Sequence, residues 1–270
     1  VAIENSQLIE RAQREAVVLS NFQRYFAPYL AEQIASQEGQ VRLGGSKRRV
    51  VVLFSDIRGF TALSAELSPD EIALLLTEYF TEMVEIVFRH GGTLDKFMGD
   101  AVMALWGAPL AHEDDADRAI AAAISMQRAL ESLNEEWKSQ GRRTLSVGIG
   151  INMGEVFAGN IGSDRRLDYT VIGDAVNIAA HLCAEAGPGD ILAGEPLIRA
   201  LRASQTIEPL PDRTLKGKSQ AVPVFRIRWE SHPGAPSGRP TAAREPPALA
   251  AEEEPELPGD LAPEAGTGSP

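Results

Sequence analysis

The chain has 270 residues, 38 acidic against 26 basic side chains, 44% apolar residues and a single cysteine. That length and apolar content exclude wholesale disorder and suffice for a sizeable core, while one cysteine excludes an intrachain disulfide. No apolar run reaches the roughly 18 residues of a membrane span, and a net charge of −12 argues against a general nucleic-acid-binding surface.

Val1 in place of an initiating Met predicts a piece of a longer chain. Residues 7–37 hold no glycine and only Pro28, and Leu8, Ala12, Val18, Phe22, Tyr25, Phe26, Leu30 and Ile34 recur at spacings of three to six apart from the adjacent Tyr25 and Phe26. Residues 1–46 therefore read as a signalling helix and linker. Its narrow apolar stripe suits a parallel coiled coil with a second copy, broken or kinked at Pro28. A helix folded back on the domain is the alternative.

The folded body is read as residues 47–230. Residues 49–54 are a β-branched run and predict a buried strand. Ser68-Pro69-Asp70-Glu71 opens a helix with an N-cap serine, a first-turn proline and a glutamate three residues after the cap. Ile72, Leu75, Leu76, Tyr79, Phe80, Met83 and Val87 keep helical spacing until His90-Gly91-Gly92. Residues 93–98 and 101–106 predict two strands around a tight turn at Gly99-Asp100. A second long helix spans 114–139. Residues 145–151 and 155–161 read as a strand pair turning at Met153-Gly154, and 168–172 as a strand leading into a helix from Asp174. A β-α-β-β stretch closes the body at 222–228. This order predicts a ferredoxin-like α+β fold, an antiparallel sheet with helices on one face. Residues 231–270, with seven acids, two bases and nine of the 17 prolines, read as a disordered tail.

Phe54-Ser55-Asp56-Ile57-Arg58-Gly59-Phe60-Thr61 places an aspartate where a buried strand ends, before a turn whose N–H groups can face a phosphate. Lys96-Phe97-Met98-Gly99-Asp100 puts a second aspartate on a hairpin tip. Singly, these read as a turn cap and an ordinary hairpin residue. In a ferredoxin-like sheet the two strands are neighbours, so the carboxylates converge. With few histidines in the chain, such a pair suits Mg²⁺ or Mn²⁺, two of which can activate a hydroxyl and stabilise a leaving pyrophosphate.

Together with residues 95–106, 148–162, 168–180 and 214–217, these motifs resemble the catalytic domain of the class III nucleotidyl cyclases, across the whole body and neither end. The resemblance implies a homodimer with composite sites at its interface, ATP as substrate, two Mg²⁺ or Mn²⁺ as cofactors, and cytoplasmic signalling under an upstream sensor outside this chain. It implies metal binding at Asp56, Ile57 and Asp100, and phosphate contacts at Ile57, Gly59, Phe60 and Lys216. Lys96 matches a base-contact position, where lysine goes with adenine and glutamate with guanine. Thr170 matches the second, usually aspartate in adenylyl and cysteine in guanylyl members. Threonine there resembles bacterial-type adenylyl cyclases, some of which respond to bicarbonate, and its hydroxyl can accept from the adenine amino group. Asn177 matches the residue that orients the ribose.

One position departs from the family. Four residues after Asn177, on the same helical face, the family has an arginine that stabilises charge on the α-phosphate; here it is His181. Losing one transition-state donor costs about 10²–10³ in rate. Alongside an adenylyl cyclase stand two rivals, a catalytically weakened or non-enzymatic regulatory module and a guanylyl cyclase. Cyclic-dinucleotide synthases share the sheet, but their Gly-Gly-Asp/Glu-Glu-Phe signature is missing. His90, His112 and His232 receive no role, and Cys183 reads as a small core residue.

Overall fold

The computed structural model describes residues 44–163, 166–213 and 221–229. The predicted N-terminal helix, the acidic tail and Lys216 lie outside the described residues. In chain order the described elements are β1 (Gly44–Ile57), α1 (Phe60–Glu66), α2 (Pro69–Arg89), β2 (Thr93–Met98), β3 (Ala101–Trp106), α3 (Asp115–Ser139), β4 (Val147–Ser163), β5 (Arg166–Ile172), α4 (Asp174–Glu185), β6 (Ile191–Gly194), α5 (Glu195–Ile198), β7 (Ile207–Arg213) and β8 (Val222–Ile227). The sheet runs β2-β3-β1-β4-β6-β8-β7, with β5 paired to the outer half of β4. Every pairing is antiparallel except β4 with β6.

β1 organises the two layers because its alternate side chains point to opposite faces. Val51, Leu53 and Ile57 pack against Tyr79, Met83 and Ile86 of α2 and Ala119, Ile120 and Ala123 of α3. Val50, Val52 and Phe54 face the other way, toward Ala175, Ala179 and Cys183 of α4. The sheet is thus covered on both faces, where the sequence predicted helices on one. A strand buried on both sides reads as a continuous apolar run, so 49–54 could not reveal how the helices divide.

The start of α2 is as predicted. Glu71 N–H donates to Ser68 Oγ at 3.4 Å, and Ser68 N–H donates to Glu71 Oε2 at 2.8 Å. Two local features differ from the prediction. Helix α1, seven residues with only partly buried Phe60 and Leu63, is too short to show periodicity. Residues 147–163 form one continuous strand and no hairpin. Gly154 pairs with Val50 in mid-strand, and a Cβ there would lie 2.8 Å from that of Ala175. Its glycine therefore serves close approach of α4, not a turn. Among the described residues, no helix is long and apolar enough to cross a membrane.

The same helix presses harder on Gly150, where a Cβ would meet Cys183 N at 2.0 Å and Ala179 O at 2.4 Å. Both obstacles are backbone, so the helix has to move. Gly150→Ala is expected to destabilise the fold by about 1–3 kcal/mol, read as a lower urea midpoint at unchanged m-value. An unchanged midpoint would show that α4 is not packed this tightly.

Candidate active site

Near its end β1 turns one side chain out of the core between two buried ones. Ser55 is fully buried, its Oγ 2.9 Å from the Tyr79 hydroxyl, which fixes the strand end to α2. The next side chain, Asp56, emerges half-exposed opposite Gly148 of β4. Ser55 is also paired with Val102, so the turn between β2 and β3 lies beside this end of β1. Gly99 supplies that turn's left-handed residue, with φ 64°, a conformation that favours glycine. Asp100 follows it. Burial and the adjacent Asp56 carboxylate push the Asp100 carboxyl up from its usual range, against hydrogen bonds from its own and the Ile57 backbone. The two carboxylates, Asp56 and Asp100, lie side by side as expected from the strand order, and the Ile57 backbone reaches Asp100 as well. Gly59, also left-handed, and Phe60 continue from it into α1.

Sequence reasoning passed over Arg58. Its guanidinium donates to the Asp56 carboxylate and, at 3.2 Å, to the Asp56 carbonyl oxygen. Its main-chain N–H donates to Ser146 O at 2.8 Å. The nitrogen that meets the Asp56 carboxylate, Nη2, also lies 3.8 Å from Cys183 Sγ. That thiol is buried and pushed up to about 12, so it is inert, in line with its reading as a core residue.

Lys96, midway along β2, and Thr170 of β5 come together. They do so through a residue the sequence analysis missed. Asp95 is buried, with Thr170 Oγ1 donating to its Oδ2 at 2.7 Å and Lys96 Nζ 3.2 Å from its Oδ1. Burial raises the Asp95 carboxyl, and Thr170 and Lys96 pull it back. The register of β2 on β3 slips between Leu94 and Lys96. Such a bulge re-aims side chains, and here Asp95 and Lys96, which strict alternation would part, serve one cluster. Asn177 is exposed on α4, and His181 is half-buried one turn later on the same face. Among the described residues, no hydrogen bond or ion pair links the Asp56–Asp100 group, the Lys96–Thr170 group and the Asn177–His181 pair to one another.

A family model described as "Adenylate and Guanylate cyclase catalytic domain" matches residues 45–227. The chain belongs to that family, the class III nucleotidyl cyclases. The adenylate cyclase of Anabaena cylindrica is 36% identical over 221 residues, 78% of this chain and 43% of the relative. The crystal structure of the adenylyl cyclase CyaB from P. aeruginosa is 35% identical with a TM-score of 0.67, covering 69% of this chain and 96% of that one. The structure of the guanylyl cyclase Cya2 is 37% identical with a TM-score of 0.64, over 68% and 94%. The cyclase domain thus spans under half the length of the curated relatives it matches.

The donor set of this cyclase domain fits hard divalent ions. It offers carboxylate and backbone oxygens, and among the described residues no three His, Cys, Asp or Glu side chains form a closed cage. Mg²⁺ favours such open sites, held by one or two carboxylates and completed by substrate phosphates and water. The raised Asp100 pKa means that its ionised form is disfavoured in the fold, so its contribution to stability falls as pH rises through that pKa. Asp100→Asn is therefore expected to raise the melting temperature in metal-free buffer above neutral pH and to erase the rise that saturating Mn²⁺ gives the parent. A Mn²⁺ response equal to the parent's would remove Asp100 from the metal site.

Proposed function

We propose that this domain is an adenylyl cyclase, converting ATP to 3′,5′-cyclic AMP and pyrophosphate as a homodimer with two Mg²⁺ or Mn²⁺. The observation that carries the choice of base is the cluster of Lys96 and Thr170 around Asp95. A lysine ammonium can donate to adenine N1, and a threonine hydroxyl can accept from the adenine amino group. Overall likeness does not choose, since Cya2, named a guanylyl cyclase, is as similar as the adenylyl cyclase CyaB.

In this reading Asp56, Ile57 and Asp100 would hold the ions, whose chemistry is to acidify the ribose 3′-hydroxyl and neutralise the triphosphate. Ile57, Gly59 and Phe60 receive the phosphates along the turn after β1, and Lys216 contacts the terminal ones. Lys96 and Thr170 of the other protomer hold adenine. Asn177 orients the ribose and His181 meets the α-phosphate. The 3′-oxygen bonds to the α-phosphorus as the bond to pyrophosphate breaks, and the hydroxyl proton leaves to solvent. Support for a second copy comes from large apolar side chains 40–58% exposed: Phe97 and Met98 on the strand of Lys96, Ile172 on the strand of Thr170, and Phe157 of β4 opposite Ile172. The reading extends to cytoplasmic signalling, to a bicarbonate response through the subclass that Thr170 resembles, and to residues 1–46 relaying an upstream sensor.

Incubation with ATP or GTP and Mn²⁺, with products resolved by chromatography, tests the reaction. Cyclic AMP is expected from ATP, and preferential cyclic GMP would overturn the reading. Asp56→Ala and Lys96→Ala are each expected to be inactive and to regain activity on mixing, because one site of the heterodimer is intact. Heterodimers that form without activity would show that the sites are not composite.

His181 favours a second reading, a weakened or regulatory module. Arginine offers a permanently charged fork of donors where histidine offers one. His181→Arg is expected to raise turnover at pH 8 by about tenfold or more, roughly 1.4 kcal/mol of barrier. Equal or lower turnover at unchanged substrate affinity would show that His181 does not stand in for the arginine.

A further inference from the structure

We propose that Asp95 is a positioning residue that fixes the hydrogen-bond polarity of the base pocket, making Thr170 an acceptor and so selecting adenine over guanine. This rests on the adenylyl cyclase reading above and goes one layer behind it. A threonine hydroxyl is both donor and acceptor. Facing a purine alone, it could accept from the adenine amino group or donate to guanine O6 with equal ease. Thr170 is not alone. Its proton is committed to Asp95 Oδ2 at 2.7 Å, and an ionised carboxylate accepts only. The hydroxyl is left with lone pairs to offer to the base.

The same carboxylate governs the other base contact. Among the described residues Asp95 Oδ1 has no partner but Lys96, whose Nζ lies 3.2 Å away. The Asp95 side chain is 0% exposed, whereas that of Lys96 is 40% exposed, so the ammonium is tethered from behind while its outer face is open. An ammonium suits the unprotonated N1 of adenine and opposes the N1–H of guanine. One buried carboxylate thus gives both groups the polarity that adenine needs. It links strands that are not paired with each other, β2 joining only β3 and β5 only β4.

The test reads selectivity without turnover, as the ratio of dissociation constants for 3′-deoxy-ATP and 3′-deoxy-GTP with Mn²⁺, ligands that lack the hydroxyl needed for cyclisation. The parent is expected to prefer 3′-deoxy-ATP. Asp95→Asn keeps the side-chain shape but can donate to Thr170, which frees the hydroxyl to donate outward. It is expected to shrink that preference by about tenfold or more. Asp95→Ser, smaller and uncharged, serves for the same ratio if Asp95→Asn does not fold. Because the effect passes largely through Thr170, Asp95→Asn should change the ratio about threefold less in a Thr170→Val background than in the parent. A merely structural Asp95 would weaken both ligands alike, leave the ratio unmoved and be blind to Thr170→Val. That result would overturn the positioning role while leaving the adenylyl reading intact. A parent that prefers 3′-deoxy-GTP would overturn both.

Discussion

β1 and β4 are hydrogen-bonded along fourteen residues, from Gly44 opposite Asn160 to Ile57 opposite Val147. One end of that ribbon is clamped between helical layers, since β1 there buries alternate side chains on both faces. Asp56 is the last residue but one of the clamped end, held by buried Ser55 and Ile57 on either side, so a rigid core delivers the carboxylate to the surface with little freedom. The other end of β4 carries β5 and, on it, Thr170 opposite Gly159. A single pairing therefore sets where the acidic site and Thr170, the proposed base contact, lie. A one-residue slip would turn every side chain of β1 to the wrong face, and the two packed layers forbid it.

What was legible in the sequence was what short-range chemistry determines. The Ser68–Glu71 box, the helix stop at His90-Gly91-Gly92 and the strands flanking Gly99-Asp100 are each written in a few adjacent residues, and the structure places them as expected. Gly154 misled because a glycine serving close approach of a distant helix looks, in sequence, like one serving a turn. The division of helices between two faces was hidden because 49–54 is apolar throughout. Asp56 and Asp100 were found together because strand order in this fold makes their ends neighbours. Asp95 was not, since its partner Thr170 is 75 residues away and the bulge that aligns it with Lys96 leaves no trace in composition.

The two acidic clusters handle charge in opposite ways. At the end of β1, Asp56 and Asp100 share a half-exposed site, and the carboxyl of Asp100 is raised partly by its neighbour. Arg58 offsets one side of that charge by holding the Asp56 carboxylate, and its own guanidinium lies against an inert buried thiol. Around Asp95 the charge is instead enclosed. A buried carboxylate is costly unless it is paired and hydrogen-bonded, and here Lys96 supplies the charge and Thr170 the hydrogen bond.

That enclosure gives a physical reason for threonine at 170, where adenylyl members usually have aspartate. A carboxylate at this position would stand within hydrogen-bonding distance of Asp95, in a pocket where Asp168 already adds to the negative potential. Like charges that close drive one of the pair to protonate, and a protonated group can donate, which would blur the base discrimination proposed for this pocket. A hydroxyl avoids the repulsion. By giving its proton to Asp95 it presents the same acceptor outward that an aspartate would, while the formal charge stays on the buried side, neutralised by Lys96. In the adenylyl reading proposed above, the acceptor at the base would then be neutral and borrowed from behind, its strength depending on Asp95 remaining ionised and in register with Thr170 across two strands that are not paired with each other.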